Sequence, residues 1–320
     1  MEKQTLLSEL ANDTLYGLIS KPKYLLSKYF YDDIGSSIFQ DIMKMPEYYL
    51  TDCEYEIFDT YKTQIIDEII KNNTLFDLIE LGSGDGLKTK VLLNALIGRL
   101  INFRYVPIDI SLKANIDLEK SLMYEIPSLK VKTQTGDFFR VMKNMNGYSG
   151  LSKVILFLGS NIGNFTDDEI SLFLENLSEF THSGDRVMIG FDLKKSPELI
   201  NQAYNDPHGH TCRFNLNHLA RLNRELGANF YLENFEHHSE YNPQSGEVKS
   251  FLVSKKTQKV YIEALEENIQ FYKWEAVFME LSRKFDFDTI EKYAANYGFS
   301  VVNHFTDKNE WFTDSLWIKK

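Results

Sequence analysis

The residues best suited by type and spacing to do chemistry are Glu80-Leu-Gly82-Ser83-Gly84-Asp-Gly86, three glycines set two apart behind an acid. Without a Cβ, glycine lets backbone N–H groups come close to a ligand. A dinucleotide fingerprint would need its third glycine at position 87, where Leu87 stands, so no pyrophosphate cradle is indicated. Two further signals share this setting. Asp109 closes a second apolar run, and Asp137-Phe138 close a third. An acid at Asp109 can receive the hydroxyls of a ribose diol. Asp137 offers a carboxylate to an adenine amine, and Phe138 offers a ring to its face. Ribose, adenine and an amino acid without pyrophosphate describe S-adenosylmethionine, and that is the cofactor these residues imply.

The elements that must position these groups follow from periodicity. Helical patterns cover about 5–19, 35–45 and 52–71, with Pro46 and Tyr48-Tyr49 between them. Short apolar runs at 75–81, 104–110, 130–135, 153–158 and 186–191 read as strands, separated by helical patterns at 89–100, 113–124 and 167–180. Such alternation indicates a parallel sheet covered on both faces, with the glycine loop, Asp109 and Asp137 at the carboxyl ends of its strands. The rhythm breaks at 196, where a helix near 213–227 leads to strand-like pieces near 230–241, 248–254 and 259–265. A helix at 286–297 and strands at 299–305 and 314–319 resume it. The expected organisation is an N-terminal helical segment, 1–60, that joins an inserted substrate lobe, 196–282. The cofactor domain is then made of 61–195 and 283–320.

Forty-six acidic against 35 basic residues leave a net charge of −11. A field of that sign disfavours nucleic acid and anionic membranes and favours a small-molecule partner. The first residues lack the basic start and apolar stretch of a signal peptide, and no apolar run approaches the roughly 18 residues of a membrane span. Cys53 and Cys212 suggest no disulfide framework. A cytoplasmic protein is expected, with a monomer favoured.

Other constellations carry less. His208-Gly-His210-Thr-Cys212 resembles a chelating run, but no second ligand pair at zinc spacing follows it, so no metal is expected. His237-His238 would point to opposite faces of a strand. Gly159-Ser160-Asn161 is not the G-x-S-x-G turn of a serine nucleophile.

Longer runs add a resemblance over nearly the whole chain. They include Tyr29-Phe-Tyr31-Asp-Asp-Ile-Gly35-Ser36, Met45-Pro-Glu-Tyr48-Tyr49 and Phe157-Leu-Gly-Ser-Asn-Ile-Gly-Asn164-Phe. Asp192-Leu-Lys-Lys, Ala203-Tyr204-Asn-Asp206, Phe214-Asn-Leu-Asn217, Asn223-Arg-Glu-Leu226 and Glu280-Leu-Ser282-Arg-Lys-Phe285 continue the series. Together they resemble the histidine Nα-methyltransferases of ergothioneine biosynthesis, which trimethylate L-histidine to hercynine.

The resemblance implies a Rossmann-like class I methyltransferase sheet, mostly parallel with an antiparallel last strand, and a second α+β substrate-binding lobe. It places Tyr48, Gly82, Lys88, Asp109, Asp137 and Phe138 at or beside the cofactor, to which the glycine loop itself adds Ser83 and Gly84. Tyr48 and Tyr204 would hold the substrate carboxylate, Tyr31 and Asn164 would surround its amine, and Glu280 with Ser282 would read the imidazole. These residue types suit the roles: a tyrosine hydroxyl can bond a carboxylate without burying a second full charge, and a carboxylate can accept from an imidazole N–H. Taken alone, Asn164 could instead cap the following helix, and Glu280 could lie on the solvent face of a strand. One position departs from the family. Members specific for histidine commonly carry methionine in the strand near Val248–Phe251, where Ser250 stands here.

Overall fold

The structure, a computed structural model, describes residues 2–71, 75–145 and 150–320. In chain order its helices are α1 (Glu2–Ile19), α2 (Asp33–Ile42), α3 (Tyr49–Ile70), α4 (Thr89–Gly98) and α5 (Leu112–Glu125). They continue with α6 (Phe138–Met145), α7 (Asp167–Phe180), α8 (Pro197–Tyr204), α9 (His210–Leu226) and α10 (Phe287–Asn296). The strands are β1 (Lys23–Tyr24), β2 (Leu75–Leu81), β3 (Asn102–Asp109), β4 (Gln134–Thr135), β5 (Ser152–Phe157), β6 (Arg186–Asp192) and β7 (Phe235–Asn242). After them come β8 (Glu247–Ser254), β9 (Gln258–Ile262), β10 (Glu267–Phe271), β11 (Ala276–Arg283), β12 (Phe299–Thr306) and β13 (Phe312–Lys319).

These elements fall into two units, Met1–Tyr49 with Lys195–Ser282, and Leu50–Lys194 with Arg283–Lys320. The second holds a seven-stranded sheet in the order β12-β13-β6-β5-β2-β3-β4. Strands β6, β5, β2, β3 and β4 run parallel, and β13 lies antiparallel to both β6 and β12. Every residue of β6, and every residue of β2 after Leu75, is buried, as helices on both faces require. The core between sheet and helices includes Ile79, Val106, Ile155, Phe173 and Trp317. From β2 the chain moves outward to β3 and β4, and from β5 it moves the other way to β6. The order therefore reverses between β2 and β5. A crevice at such a point, outside the carboxyl ends of the strands, is where open α/β sheets hold ligands.

The first unit has a mixed sheet, β1-β11-β8-β7, and a separate β9–β10 hairpin. Strands β7, β8 and β11 alternate between buried and less buried residues. Their buried residues share a core with Phe214, Leu219 and Leu222 of α9. The amphipathic period-2 pattern thus leaves one side of this sheet free for polar groups.

The third strand, expected over 130–135, is only the pair Gln134–Thr135, with one isolated bridge from Val131 to Tyr105. Its polar residues suit an edge, where few ladder bonds form. Helices α6 and α8 and strands β1, β10 and β11 lie outside the sequence pattern drawn above. The N-terminal segment drawn as 1–60 is cut at Tyr49 in the structure, because Glu54 on α3 bonds to Gly159 and Lys88 of the sheet unit. Among the described residues, no helix is long and apolar enough to cross a membrane.

Candidate active site

At the point of reversal in the sheet, all three glycines of the loop take left-handed backbone angles, φ 74° at Gly82, 51° at Gly84 and 66° at Gly86. Only glycine adopts these without strain, which explains their spacing. Gly82 and Gly84 are exposed, and a side chain at Gly84 would meet no atom within 4 Å. The loop therefore faces open space. Ser83 between them is buried, and its hydroxyl has no hydrogen-bond partner. A buried unpartnered hydroxyl is unusual, and a ligand polar group would satisfy it. The loop thus fits a cofactor that needs close backbone approach and one hydroxyl contact.

Asp109 binds this loop directly. Its two carboxylate oxygens accept from the Gly84 N–H (3.1 Å) and the Ser111 N–H (2.8 Å). Each oxygen keeps a lone pair, so the bonds that fix the loop leave capacity for a diol. Next to it, Gly136 N–H donates to the Asp109 carbonyl at 3.0 Å, bringing Asp137 beside the same edge. Asp137 also caps α6 by accepting from Arg140 N–H at 3.1 Å. The Phe138 ring packs against Phe139, Phe157, Phe165 and Phe173, with centroids 4.6, 5.8, 6.4 and 6.0 Å away. It is the half-buried rim of an aromatic core, and only that rim is open to a ligand.

Lys88, expected beside the cofactor, is held by a group the sequence reading missed. Its ammonium is ion-paired with the fully buried Glu54. Glu54 also accepts from the Gly159 N–H at 2.7 Å, so one carboxylate joins the loop after β5 to the lysine that precedes α4. Asp314 of β13 is also fully buried, with neither carboxylate oxygen hydrogen-bonded, and it faces Gly190, where a side chain would begin 2.7 Å from Glu54 Oε1. Burial, then the Glu54 charge, pushes the Asp314 carboxyl well above the carboxylate range. Glu80 is pushed up to about 7 by burial, partly offset by bonds from Thr89 (2.6 Å) and Tyr105. Burial alone would lower the Lys88 titration, but its acidic neighbours, Glu54 foremost, raise it. The signal for Glu54 is present in the sequence, since it precedes Ile57 and Phe58 by three and four positions, on the apolar face of the helix.

Asn164 ends a short 3-10 turn, Asn161–Asn164, after β5. It does not cap α7, because Thr166 and Glu169 form a reciprocal capping box there. On the same turn the Asn161 side-chain nitrogen lies 3.6 Å from where a Gly82 side chain would begin, so the loops after β2 and β5 meet.

In the other unit, β11 carries Glu280 and Ser282 two residues apart and hence on one side of the strand, away from buried Met279 and Leu281. The Tyr204 hydroxyl, at the end of α8, donates to Ser282 Oγ at 2.7 Å. Tyr31 joins them: the residue is 46% exposed, but its hydroxyl end is desolvated, and that burial, then the potentials of Glu280 and Tyr204, push the phenol upward. The Tyr31 ring meets Phe39 and Phe214 edge-on, both at 5.5 Å, and Phe39 meets Tyr48 at 6.0 Å. The four residues expected at substrate carboxylate and imidazole, with Tyr31, therefore belong to one unit. Asn164 and the residues expected at the cofactor belong to the other, except Tyr48, which lies in the first unit.

Ser250 is almost fully buried and pairs across the ladder with Ser239, also buried. Its neighbour Phe251 points the other way and meets the Phe278 ring at 5.8 Å. Phe278 and Glu280 share one side of β11, so that side of the sheet carries Phe251 and not Ser250. The His208–Cys212 run is the entry to α9, where Asp206 accepts from the His210 and Thr211 N–H groups at 2.9 and 2.8 Å. Among the described residues, no group of histidine, cysteine, aspartate and glutamate could hold a metal.

Comparison with known proteins bears on the whole of this arrangement. The model of a family described as histidine-specific, S-adenosylmethionine-dependent methyltransferases matches residues 10–319. The histidine N-alpha-methyltransferases of Mycolicibacterium smegmatis and Mycobacterium tuberculosis are 32% and 33% identical over 310 residues, covering 97% of this chain and 95% of each relative. Ergothioneine biosynthesis protein 1 of Schizosaccharomyces pombe is 29% identical over 239 residues, 72% of this chain and 31% of that protein. With a glycine loop at the sheet's reversal and a tyrosine–serine–glutamate group on a separate lobe, the chain belongs to the histidine-specific, S-adenosylmethionine-dependent methyltransferases.

Proposed function

We propose that this chain moves methyl groups from S-adenosylmethionine to the α-amino nitrogen of L-histidine, three times in succession, to give hercynine. The observation that supports this most directly is the grouping of Tyr31, Tyr204, Glu280 and Ser282 in the lobe. A phenol and a carboxylate two strand positions from a hydroxyl match the carboxylate and the two ring nitrogens of histidine. In this reading Glu280 accepts one imidazole N–H, Ser282 serves the other nitrogen, and Tyr48 and Tyr204 hold the carboxylate. Gly82, Ser83, Gly84, Lys88, Asp109, Asp137 and Phe138 hold the cofactor, which supplies the electrophilic methyl when bound.

Methyl transfer from a sulfonium is an in-line displacement, so the chain's own residues must align a neutral amine and exclude water. Tyr31 remains a phenol at every working pH, since its titration is pushed upward. It therefore acts as a hydrogen-bonding partner and not as a base. Asn164, also neutral, is assigned to the same amine. Neutral partners suit a nitrogen that grows by one methyl each round, because no fixed charge is stranded when its last N–H is lost. The protein is expected to act in the cytoplasm as a monomer on a free amino acid.

The test is mass spectrometry of histidine incubated with the purified chain and S-adenosylmethionine. The expected product carries three added methyls, with the mono- and dimethyl forms as intermediates. Methylation of another amino acid in preference to histidine would overturn the substrate assignment.

A further inference from the structure

Glu54, Asp314 and Lys88 form a buried set whose role is not exhausted by stability. Three elements deliver them to the crevice: α3 carries Glu54, β13 carries Asp314, and Lys88 leads into α4. Glu54 and Asp314 are both wholly inaccessible, and Asp314 faces Gly190 across the ladder, where a side chain would begin 2.7 Å from Glu54 Oε1. Both Asp314 oxygens are otherwise unpartnered, and two buried carboxyl groups so near each other cannot both stay ionised, which places one proton on the pair. Other titratable groups around the set are Glu80 from β2 and Tyr105 from β3, bonded to each other. The backbone is shaped for this arrangement. A side chain at Gly190 of β6 would come within 2.7 Å of the Glu54 carboxylate. One at Gly159 would begin 3.5 Å from the Lys88 ammonium. Gly159 itself has φ 73°, an angle that suits glycine.

We infer that Glu54 and Asp314, with one proton between them, are positioning residues that fix the Lys88 ammonium and the Gly159 backbone for the carboxylate of the cofactor's amino-acid part. The inference rests on the reading that S-adenosylmethionine binds in this crevice. An ammonium beside a glycine-rich turn suits an anionic group, and Glu54 reaches both of these parts through one carboxylate. The proton on the acid pair leaves the set with one negative and one positive charge. Losing that proton would add a second negative charge beside Lys88 and compete with the incoming carboxylate.

The test is calorimetric binding of S-adenosylhomocysteine to the full chain, alongside steady-state kinetics. Glu54→Gln is expected to weaken binding at least tenfold and raise the KM for S-adenosylmethionine, with the KM for histidine unmoved. The double variant Glu54→Gln with Lys88→Met strands no buried charge, so it is expected to regain thermal stability while binding stays weak. The unaltered chain is expected to lose affinity at alkaline pH, and Asp314→Asn, which cannot ionise, to flatten that loss. Tight binding by the double variant, or an affinity of the unaltered chain that is flat with pH, would overturn the inference. Failure of the unaltered chain to bind S-adenosylhomocysteine at all would instead overturn the cofactor assignment on which it rests.

Discussion

Tyr204 and Ser282 stand 78 positions apart in the chain, yet the tyrosine hydroxyl donates to the serine hydroxyl at 2.7 Å. The bond joins the end of α8 to β11 and holds the phenol beside the strand that carries Glu280. A donor so committed still has a lone pair on its own oxygen, and the serine can pass a hydrogen bond onward.

Tyr204→Phe removes this hydroxyl while keeping the ring. A hydrogen bond to a charged group contributes about 1.5–3 kcal/mol, so the KM for histidine is expected to rise by on the order of tenfold or more. Cofactor affinity should not move. Initial-rate kinetics with each substrate varied in turn would separate the two, and an unchanged histidine KM would remove Tyr204 from the substrate site.

Glu280→Gln keeps the shape but gives up the charge. Its amide can still accept through oxygen, yet its nitrogen then faces the side from which the imidazole N–H arrives. The expected loss in kcat/KM for histidine is on the order of a hundredfold, by the same scale for charge-assisted bonds. Competition between histidine and a panel of amino acids, tryptophan included because its ring has one N–H, should show the selectivity narrowing. A variant that keeps full preference for histidine would contradict the role.

Lys284 and Asp192 form an ion pair at 2.7 Å with side-chain exposures of 1% and 0%. Removing one partner strands a charge in the core, at a cost of about 3–5 kcal/mol. Lys284→Met should therefore shift the urea midpoint strongly, and adding Asp192→Leu should recover most of the loss. If the double replacement is no more stable than the single, the charge itself is not what matters at that position.

His218 gives a pH dependence. Its ring is fully buried beside Tyr29 and Phe30, neither ring nitrogen has a partner, and burial lowers its titration to about 3. The unfolded chain titrates near the ordinary value of 6.5, so between these limits the unfolded state binds the extra proton. Stability is therefore fully present above pH 6.5 and falls as the pH is lowered towards 3, by up to about 1.4 kcal/mol per pH unit from this residue. His218→Phe should flatten that part of the profile. Urea unfolding of both proteins at neutral and mildly acid pH would measure the difference.

Much of this was legible in the residues. Alternating apolar runs and helical patterns carry the parallel sheet, because strands covered on both faces must be apolar on both. The glycines at 82, 84 and 86 signal left-handed backbone, which the structure has at each. Strand β11 was harder to see, since Val277, Met279 and Leu281 alternate with polar residues and resemble any half-buried segment. Helix α6 was hidden because Asp137-Phe138 read as ligand signals, and these residues also start a helix.

What the sequence determined by itself was the alternation behind the parallel sheet, the cofactor class and the family, because backbone angles, strand patterning and residue spacing are local properties. Tertiary structure alone decided which partners those residues have. Lys88 meets Glu54, which lies 34 positions away, and Tyr204 meets Ser282 across most of the lobe. It also decided that Phe251, and not Ser250, shares a side of the sheet with Glu280. Such contacts depend on sheet register and helix docking. A one-residue change in register sends every side chain of a strand to the other face, so no local pattern can specify them.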